Sequence, residues 1–285
     1  MDRALAVLRA GFRLCAIVPL GMALASCSGL GLMSGVGDAK PHGGVASAHF
    51  RPVHGVDISR WQGKVDWAAL RDGGTRFAFI KATEGGDHVD PRFAENWEGA
   101  RNAGVLRGAY HFVYWCRPAE EQAAWFRRNV QPEADALPPV LDAEWNGASP
   151  SCGRKIPRDK ALAMIRVILR EMEAHTGKKP IIYTDITFHR EVLEGELKDY
   201  PFWIRSTAAE PQVRYNDRQW TFWQFTTTGR VPGIAGNVDR NAFHGTEAQW
   251  SDFVGRPAPI QIAEGTRSEG GKSVTEASWS GLPDD

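Results

Sequence analysis

Five carboxylates stand where the chain's own pattern can bring side chains together. Asp142 and Glu144 are two positions apart in "PPVLDAEW" (138–145), directly after the apolar pair Val140 and Leu141. Asp57 follows a short apolar run in "HGVDIS", Glu84 follows another in "IKATEGG", and Asp239 lies in "GNVDRNAF". Side chains at i and i+2 of a strand share a face. Asp142 and Glu144 therefore point the same way, with Cα atoms roughly 7 Å apart by strand rise. A single acid at a strand end is more often a cap or turn residue than a catalyst. Five of them, with Lys81, Tyr110, His111, Tyr183, Trp203 and Gln224 at comparable heights, describe an acidic pocket with aromatic walls. Two chemistries suit it. Carboxylate oxygens in that number can hold a divalent cation. A protonated carboxylic acid beside a charged carboxylate can instead cleave a glycosidic bond. Crowded like charges raise one carboxyl pKa enough for it to keep its proton near neutral pH. The aromatic residues favour the second reading, because ring faces suit sugars. His111 reads as a packed, hydrogen-bonded histidine.

Such a set converges only if the strands carrying it end at one level. Apolar runs at 53–59, 76–83, 105–115, 138–145, 179–184, 200–206, 219–226 and 237–243 read as strands. Helical patterns fall between them at 65–74, 91–104, 118–130, 157–177 and 187–197, with a last one at 246–254. The clearest helix puts Leu162, Ile165, Leu169 and Met172 on one face. Strand–helix alternation argues for a parallel sheet or barrel. About five such units come first, and the strands at 219–226 and 237–243 then follow without a helix between them. That order predicts a barrel that closes irregularly, with its chemistry at the C-terminal strand ends.

The 285 residues are 42% hydrophobic, enough to bury one large core. A formal net charge of +0 offers no basic surface for nucleic acid. Eleven Trp is a high count; core packing is the simplest use for most of them. Arg3, Arg9 and Arg13 precede an apolar run from Leu14 to Ala25, the pattern of an export signal. The run is too short for a comfortable membrane span. It ends in "LASC", Leu24 to Cys27, which resembles the lipobox of bacterial lipoprotein signals and implies a lipid on Cys27. The expected division is a signal peptide at 1–26, a flexible tether at 27–49, a catalytic domain at 50–256 and a disordered tail at 257–285. Export places the domain where disulfides persist. With Cys15 in the apolar run and Cys27 lipidated, Cys116 and Cys152 remain as a candidate bridge. No paired histidines stand near them to make a zinc site.

The order of these segments resembles glycoside hydrolase family 25, the Chalaropsis-type lysozymes. The matching stretches include "HGVDISRWQGKVDW", "FAFIKATEGGDHVDPRFAENWEGARNAGVLRGAYHF", "PPVLDAEW", "KKPIIYTDITF", "YPFWIR" and "WTFWQFTTTGRVPGIAGNVDRNAFHGT", spanning 53–246. D-x-E alone is a trivial match. Its place after an apolar strand, with D-x-S upstream and V-D-x-N-x-F downstream, is specific. The resemblance implies an α/β fold, an irregular (β/α)5β3 TIM-like barrel in a single domain. It implies hydrolysis of the β-1,4 bond between N-acetylmuramic acid and N-acetylglucosamine in peptidoglycan, with retention through the substrate's own acetamido group, a double displacement through a carboxylate nucleophile being the other route to retention. Glu144 is then the general acid and base, Asp142 orients the acetamide, and Asp57 and Asp239 complete the acidic site. Tyr110, Tyr183, Trp203, Gln224, Lys81, Glu84 and Arg205 are expected to bind substrate. No metal and no cofactor are implied. The expected partners are peptidoglycan glycan strands and, through Cys27, a membrane of the cell envelope, periplasm-facing or outer, with the chain a monomer. A catalytically silent peptidoglycan-binding lipoprotein and a hydrolase of a related N-acetylated glycan such as chitin are the alternatives. The chain departs from the family after "YPFWI", where a small residue and then an aromatic are usual and Arg205, Ser206 and Thr207 stand instead. "WCRPAEEQ" and "SPSCGRK" place Cys116 and Cys152 just past adjacent strand ends, which suits a bridge.

Overall fold

The computed structural model describes residues 45–255 apart from Asp217. The expected signal peptide (1–26), Cys27, the tether up to residue 44 and the tail at 257–285 lie outside the described residues. Within them, Ala46–Phe50 forms a 3-10 turn whose Ala48 is fully buried, so the domain's packing begins inside the stretch assigned to the tether.

The strands are β1 (His54–Ile58), β2 (Thr75–Glu84), β3 (His88–Val89), β4 (Leu106–Phe112), β5 (Val140–Asp142), β6 (Ile181–Thr184), β7 (Phe202–Arg205), β8 (Phe222–Gly229) and β9 (Val238–Phe243). β3 forms a short hairpin with the end of β2, an element the sequence did not signal. The other eight strands close on themselves through the β1–β2 pairing and make a barrel. Every pairing from β1 round to β8 is parallel. β9 runs antiparallel to both of its neighbours, β8 and β1. The helices are α1 (Trp67–Asp72), α2 (Phe93–Ala103), α3 (Ala119–Asn129), α4 (Arg158–Thr176), α5 (Ile186–Phe188), α6 (Pro211–Arg214) and α7 (Glu247–Phe253). This is a mixed α/β domain built round a closed eight-stranded barrel.

Side-chain alternation sorts the core into two clusters. Ala78, Ile80 and Ala82 of β2, Leu141 of β5, Ile182 of β6 and Ile204 of β7 pack outward, with Leu162, Ile165, Leu169 and Met172 of α4 in the same cluster. The alternate positions Phe77, Phe79, Val140, Ile181, Tyr183, Trp203, Phe222 and Phe243 form the second cluster, inside the barrel. Period-2 strands between two apolar layers read as near-continuous hydrophobic runs, which is why their starts look so apolar in sequence. Phe79 stacks on Trp203 with centroids 4.5 Å apart, and Phe77 meets Phe222 edge-on at 5.1 Å. Two glycines make room for these rings: a Cβ on Gly55 would lie 2.5 Å from the Phe77 ring, and one on Gly108 would lie 2.9 Å from that of Phe79.

One helix differs from expectation. The pattern at 187–197 yields the single turn α5, then a π-helical turn at His189–Leu193. Glu194 N–H bonds back to the carbonyl of His189, five residues earlier, and Gly195 then turns the chain away at φ 81. β8 also runs on through Thr227, Thr228 and Gly229, past the expected strand end, with register shifts against β9.

Candidate active site

The inward parity of β5 continues past its last ladder residue. Val140 and Asp142 face in, Leu141 and Ala143 face out, and Glu144 faces in again. Two backbone anchors hold the segment extended. Ala143 N–H donates to the Tyr183 carbonyl at 2.9 Å, and the Trp115 indole N–H donates to the Glu144 carbonyl at 2.7 Å. Trp115 is itself clamped: it stacks on Phe188 at 4.9 Å, and its backbone N–H donates to Asn146 Oδ1 at 3.0 Å. The next residue, Cys116, is disulfide-bonded to Cys152 across a Cα–Cα distance of 5.4 Å. The expected bridge thus ties the loop after β4 to the loop after β5, beside the acid pair.

The polar upper layer of the barrel opens into a cleft of two adjoining lobes. Both lobes contain Asp57, Tyr110, Asp142, Glu144 and Asp239. The first adds Ser59, Trp61, Gln62, Lys81 and Phe112. The second adds Tyr183, Trp203, Arg205, Gln224 and Thr227. Four of the five acids expected at the mouth, Asp57, Asp142, Glu144 and Asp239, therefore meet at the junction of the lobes. Glu84 does not line either lobe. It stands behind Lys81, ion-paired with its Nζ and accepting from the Tyr114 hydroxyl. Burial pushes the Glu84 carboxyl up, but these two donors outweigh it and hold the group below its usual range.

Asp57 is the best-supported anion of the set. Its Oδ2 accepts from Gln224 Nε2 at 2.9 Å and from Asn241 Nδ2 at 2.8 Å. Gln224 is oriented by the Tyr183 hydroxyl, which donates to its Oε1 at 3.0 Å; Asn241 is oriented by the Trp203 indole, which donates to its Oδ1 at 2.8 Å. The aromatic cluster inside the barrel thus fixes the two amides, and the amides fix the carboxylate. Asp239 sits directly across the β1–β9 ladder from Asp57. Burial, and then the charge of Asp57, push Asp239 up to about 8, so the pair holds on to a proton as a unit. Burial also pushes Asp57 up, and its two amide donors pull it back.

Asp142 and Glu144 have no such support. Burial and then the neighbouring Glu144 raise Asp142 well above the usual carboxylate range. Asp142 Oδ1 is buried and takes no hydrogen bond from the described residues. Burial and then the charge of Asp185 push Glu144 up to about 7. The pair therefore carries a proton at neutral pH, and a donor to Asp142 decides where that proton sits. His111 is fully buried between Thr83 Oγ1 at 2.8 Å and Gln122 Oε1 at 3.2 Å. Burial takes its pKa down to about 4, so it is a neutral packing residue, as its sequence context indicates.

Three residues in or behind the cleft escaped the sequence reading. Asn241 follows Asp239 by two positions, and that i+2 spacing was the available signal. Asp185 directly follows β6 in "IIYTD", and its cap on Phe188 N–H at 2.7 Å gives it the look of an ordinary N-cap. Trp61, 77% exposed with the Arg60 guanidinium over its ring, stands at the rim of the first lobe. Among the described residues no group of His, Cys, Asp and Glu is arranged to hold a metal ion.

A closed barrel with buried carboxyls gathered at its mouth is one of the frameworks on which sugar-cleaving enzymes are built. Residues 56–234 match the model of glycosyl hydrolases family 25. The protein YegX of Escherichia coli O157:H7 is 40% identical over 207 residues, covering 71% of this chain and 73% of that one. Lysozyme M1 of Streptomyces globisporus is 34% identical, covering 78% of each. Among solved structures, a family 25 glycosyl hydrolase from Bacillus anthracis superposes with a TM-score of 0.68 at 32% identity, covering 75% of this chain and 97% of that one. The chain belongs to glycosyl hydrolase family 25 and is a glycoside hydrolase.

Proposed function

We propose that the chain is an N-acetylmuramidase. It hydrolyses the β-1,4 bond between N-acetylmuramic acid and N-acetylglucosamine in peptidoglycan, with Glu144 as the proton donor. One observation carries the reading: Glu144, pushed up to about 7, lies beside the buried Asp142 where the two lobes of the cleft meet. A glycan laid across both lobes brings the bond between two sugars to the acid. The substrate's acetamide N–H donates to the unpartnered Asp142 Oδ1, which favours the charged form of Asp142 and leaves the shared proton on Glu144. The acetamide oxygen attacks the anomeric carbon as Glu144 protonates the departing oxygen. Glu144, now a carboxylate, then takes a proton from water as it opens the ring intermediate, and the configuration is retained. The Asp57–Asp239 pair sits on the other wall, where it stabilises positive charge at the anomeric centre. Tyr110, Tyr183, Trp203, Gln224, Lys81 and Arg205 shape the two lobes round the sugars, and Glu84 holds Lys81 in place.

The relatives support the choice of substrate, since the Streptomyces protein is named a lysozyme and a Chalaropsis relative, 34% identical, is named an N,O-diacetylmuramidase. We further read the barrel as the (β/α)5β3 form, with β7, β8 and β9 as its closing strands and α6 no more than one turn between β7 and β8. Lipidation at Cys27, a tether to an envelope membrane and action as a monomer complete the proposal and rest on the sequence alone. The test is digestion of purified sacculi, with the new reducing ends identified by mass spectrometry. Wild type releases fragments ending in reducing N-acetylmuramic acid, and Glu144→Gln releases at least 100-fold fewer, the usual scale for loss of a general acid. Unchanged sacculi with the wild-type chain would sink the proposal.

A further inference from the structure

The two lobes of the cleft lie over opposite sides of the barrel. The first takes Lys81 from β2, Phe112 from β4 and the turn after β1; the second takes residues of β6, β7 and β8. A glycan cut between them therefore runs out over the turn at Arg60–Gln62, where Trp61 stands at the rim. Phe50, Trp61 and Val213 are the large apolar side chains left exposed among the described residues, and of these only Trp61 lines a lobe. Its ring belongs to neither hydrophobic cluster, so packing does not account for it. Its mount is nevertheless rigid. Ser59 and Gln62 close a capping box around the turn, with Ser59 N–H donating to Gln62 Oε1 at 2.8 Å. Arg60 N–H donates to Oδ2 of the buried Asp90 at 2.9 Å, and Asp90 Oδ1 accepts from Arg92 N–H at 2.9 Å. The Arg60 guanidinium lies 4.5 Å from the centre of the Trp61 ring and covers one face, leaving the other to solvent. Among the described residues Arg60 makes no ion pair.

We propose that Arg60 and Trp61 form an outer subsite for a sugar that carries an anionic peptide stem, at the first-lobe rim and away from the bond being cut. The inference rests on the muramidase reading, which supplies the glycan. The open face of Trp61 stacks on the C–H face of a pyranose ring, and both surfaces leave water in doing so. Arg60 holds the indole from behind as a cation over its ring. Its forked N–H donors stay available for a carboxylate, the geometry a guanidinium matches best. The stem peptides that branch from N-acetylmuramic acid carry such carboxylates, whereas chitin carries none. The pair thus separates the two substrates at a point remote from Glu144. A turn held by a capping box and a buried aspartate presents both side chains already in place, so little ordering remains to be done on binding.

The experiment measures binding in the full chain carrying Glu144→Gln, so that the glycan stays whole. Calorimetric titrations use long peptidoglycan strands of defined length, with their stems and after enzymatic removal of the stems. Thermal melting confirms that each added variant folds. Trp61→Ala should weaken long strands of both kinds about tenfold, the affinity equivalent of ~1.4 kcal/mol, and Trp61→Phe should recover most of the loss. The parent should prefer stem-bearing strands about threefold at low salt and lose that preference as salt is raised. Arg60→Gln should abolish the preference. Equal affinity of the parent and Trp61→Ala for long strands overturns the subsite. A parent without stem preference, or a preference that survives Arg60→Gln, overturns the assignment to stem-bearing sugars. Binding needs no turnover, so it is separable from the muramidase reading: sacculi left intact by the wild-type chain would sink that reading, while Trp61-dependent binding would still uphold the subsite.

Discussion

Glu144→Gln should make the domain more stable, and only at the higher end of the pH range. In the folded state the Glu144 carboxyl titrates near 7, against 4.5 when free in water. A carboxyl raised on folding leaves the native state holding a proton that the unfolded chain gives up. Stability is therefore untouched below the unfolded pKa, falls as pH climbs between the two values, and carries the full penalty above the folded one. A rise of ~2.5 units corresponds to about 3 kcal/mol at 1.36 kcal/mol per unit. Solvent at the mouth trims this to about 2 kcal/mol. Glutamine keeps the shape and cannot ionise, so it removes the penalty. At about 2–4 °C per kcal/mol for a domain of this size, the variant should melt roughly 4–8 °C above wild type near pH 8 and level with it near pH 4. Differential scanning calorimetry at five pH values gives the comparison. Two curves separated by a constant offset would refute the reasoning, because that offset would come from packing rather than from the buried charge. A more stable, inactive variant is the signature of a site held in a costly state for its chemistry.

Two substitutions test the scaffold beneath the acids. Asn241→Ala removes one of the two amide donors to Asp57 and leaves the Trp203 indole without its acceptor. It should cost about 2–4 kcal/mol in chemical denaturation, the sum for a charge-assisted bond and a buried orphan, and a loss under 1 kcal/mol would show that the network is slack. Gly55→Ala puts a methyl 2.5 Å from the Phe77 ring and should cost about 1–3 kcal/mol of overpacking. Adding Phe77→Leu should recover part of that loss, and a double variant no better than the single would place the strain elsewhere.

The acid pair was legible because it obeys a rule that needs no tertiary knowledge. On β5 the inward positions run Val140, Asp142, Glu144 and the outward ones Leu141 and Ala143, so the period-2 pattern alone puts two carboxyls on one face. The alternation of strands and helices likewise announced a barrel. Roles that depend on which strands are neighbours were not legible. Asn241 matters because β9 turns back antiparallel beside β1 and brings its amide to Asp57, a pairing between residues 184 positions apart. Glu84 looked like Asp57 in sequence, each an acid after an apolar run, but a nearby lysine and tyrosine claimed it. Asp185 serves as an N-cap and as a neighbour of Glu144 at once, and a cap signature hides the second use.

The disulfide has a consequence for the order of events in the life of the chain. The segment it closes, with a sequence separation of 36, contains β5 and both Asp142 and Glu144. β5 contributes only three ladder residues, so little backbone pairing of its own holds it against the repulsion of the acids it carries. Closing a loop of that length is worth about 4 kcal/mol in chain entropy. A newly made chain with free thiols lacks that tie at the segment where its chemistry resides. Oxidation supplies it, so the redox state of the surroundings helps decide when a folded barrel becomes a finished catalyst.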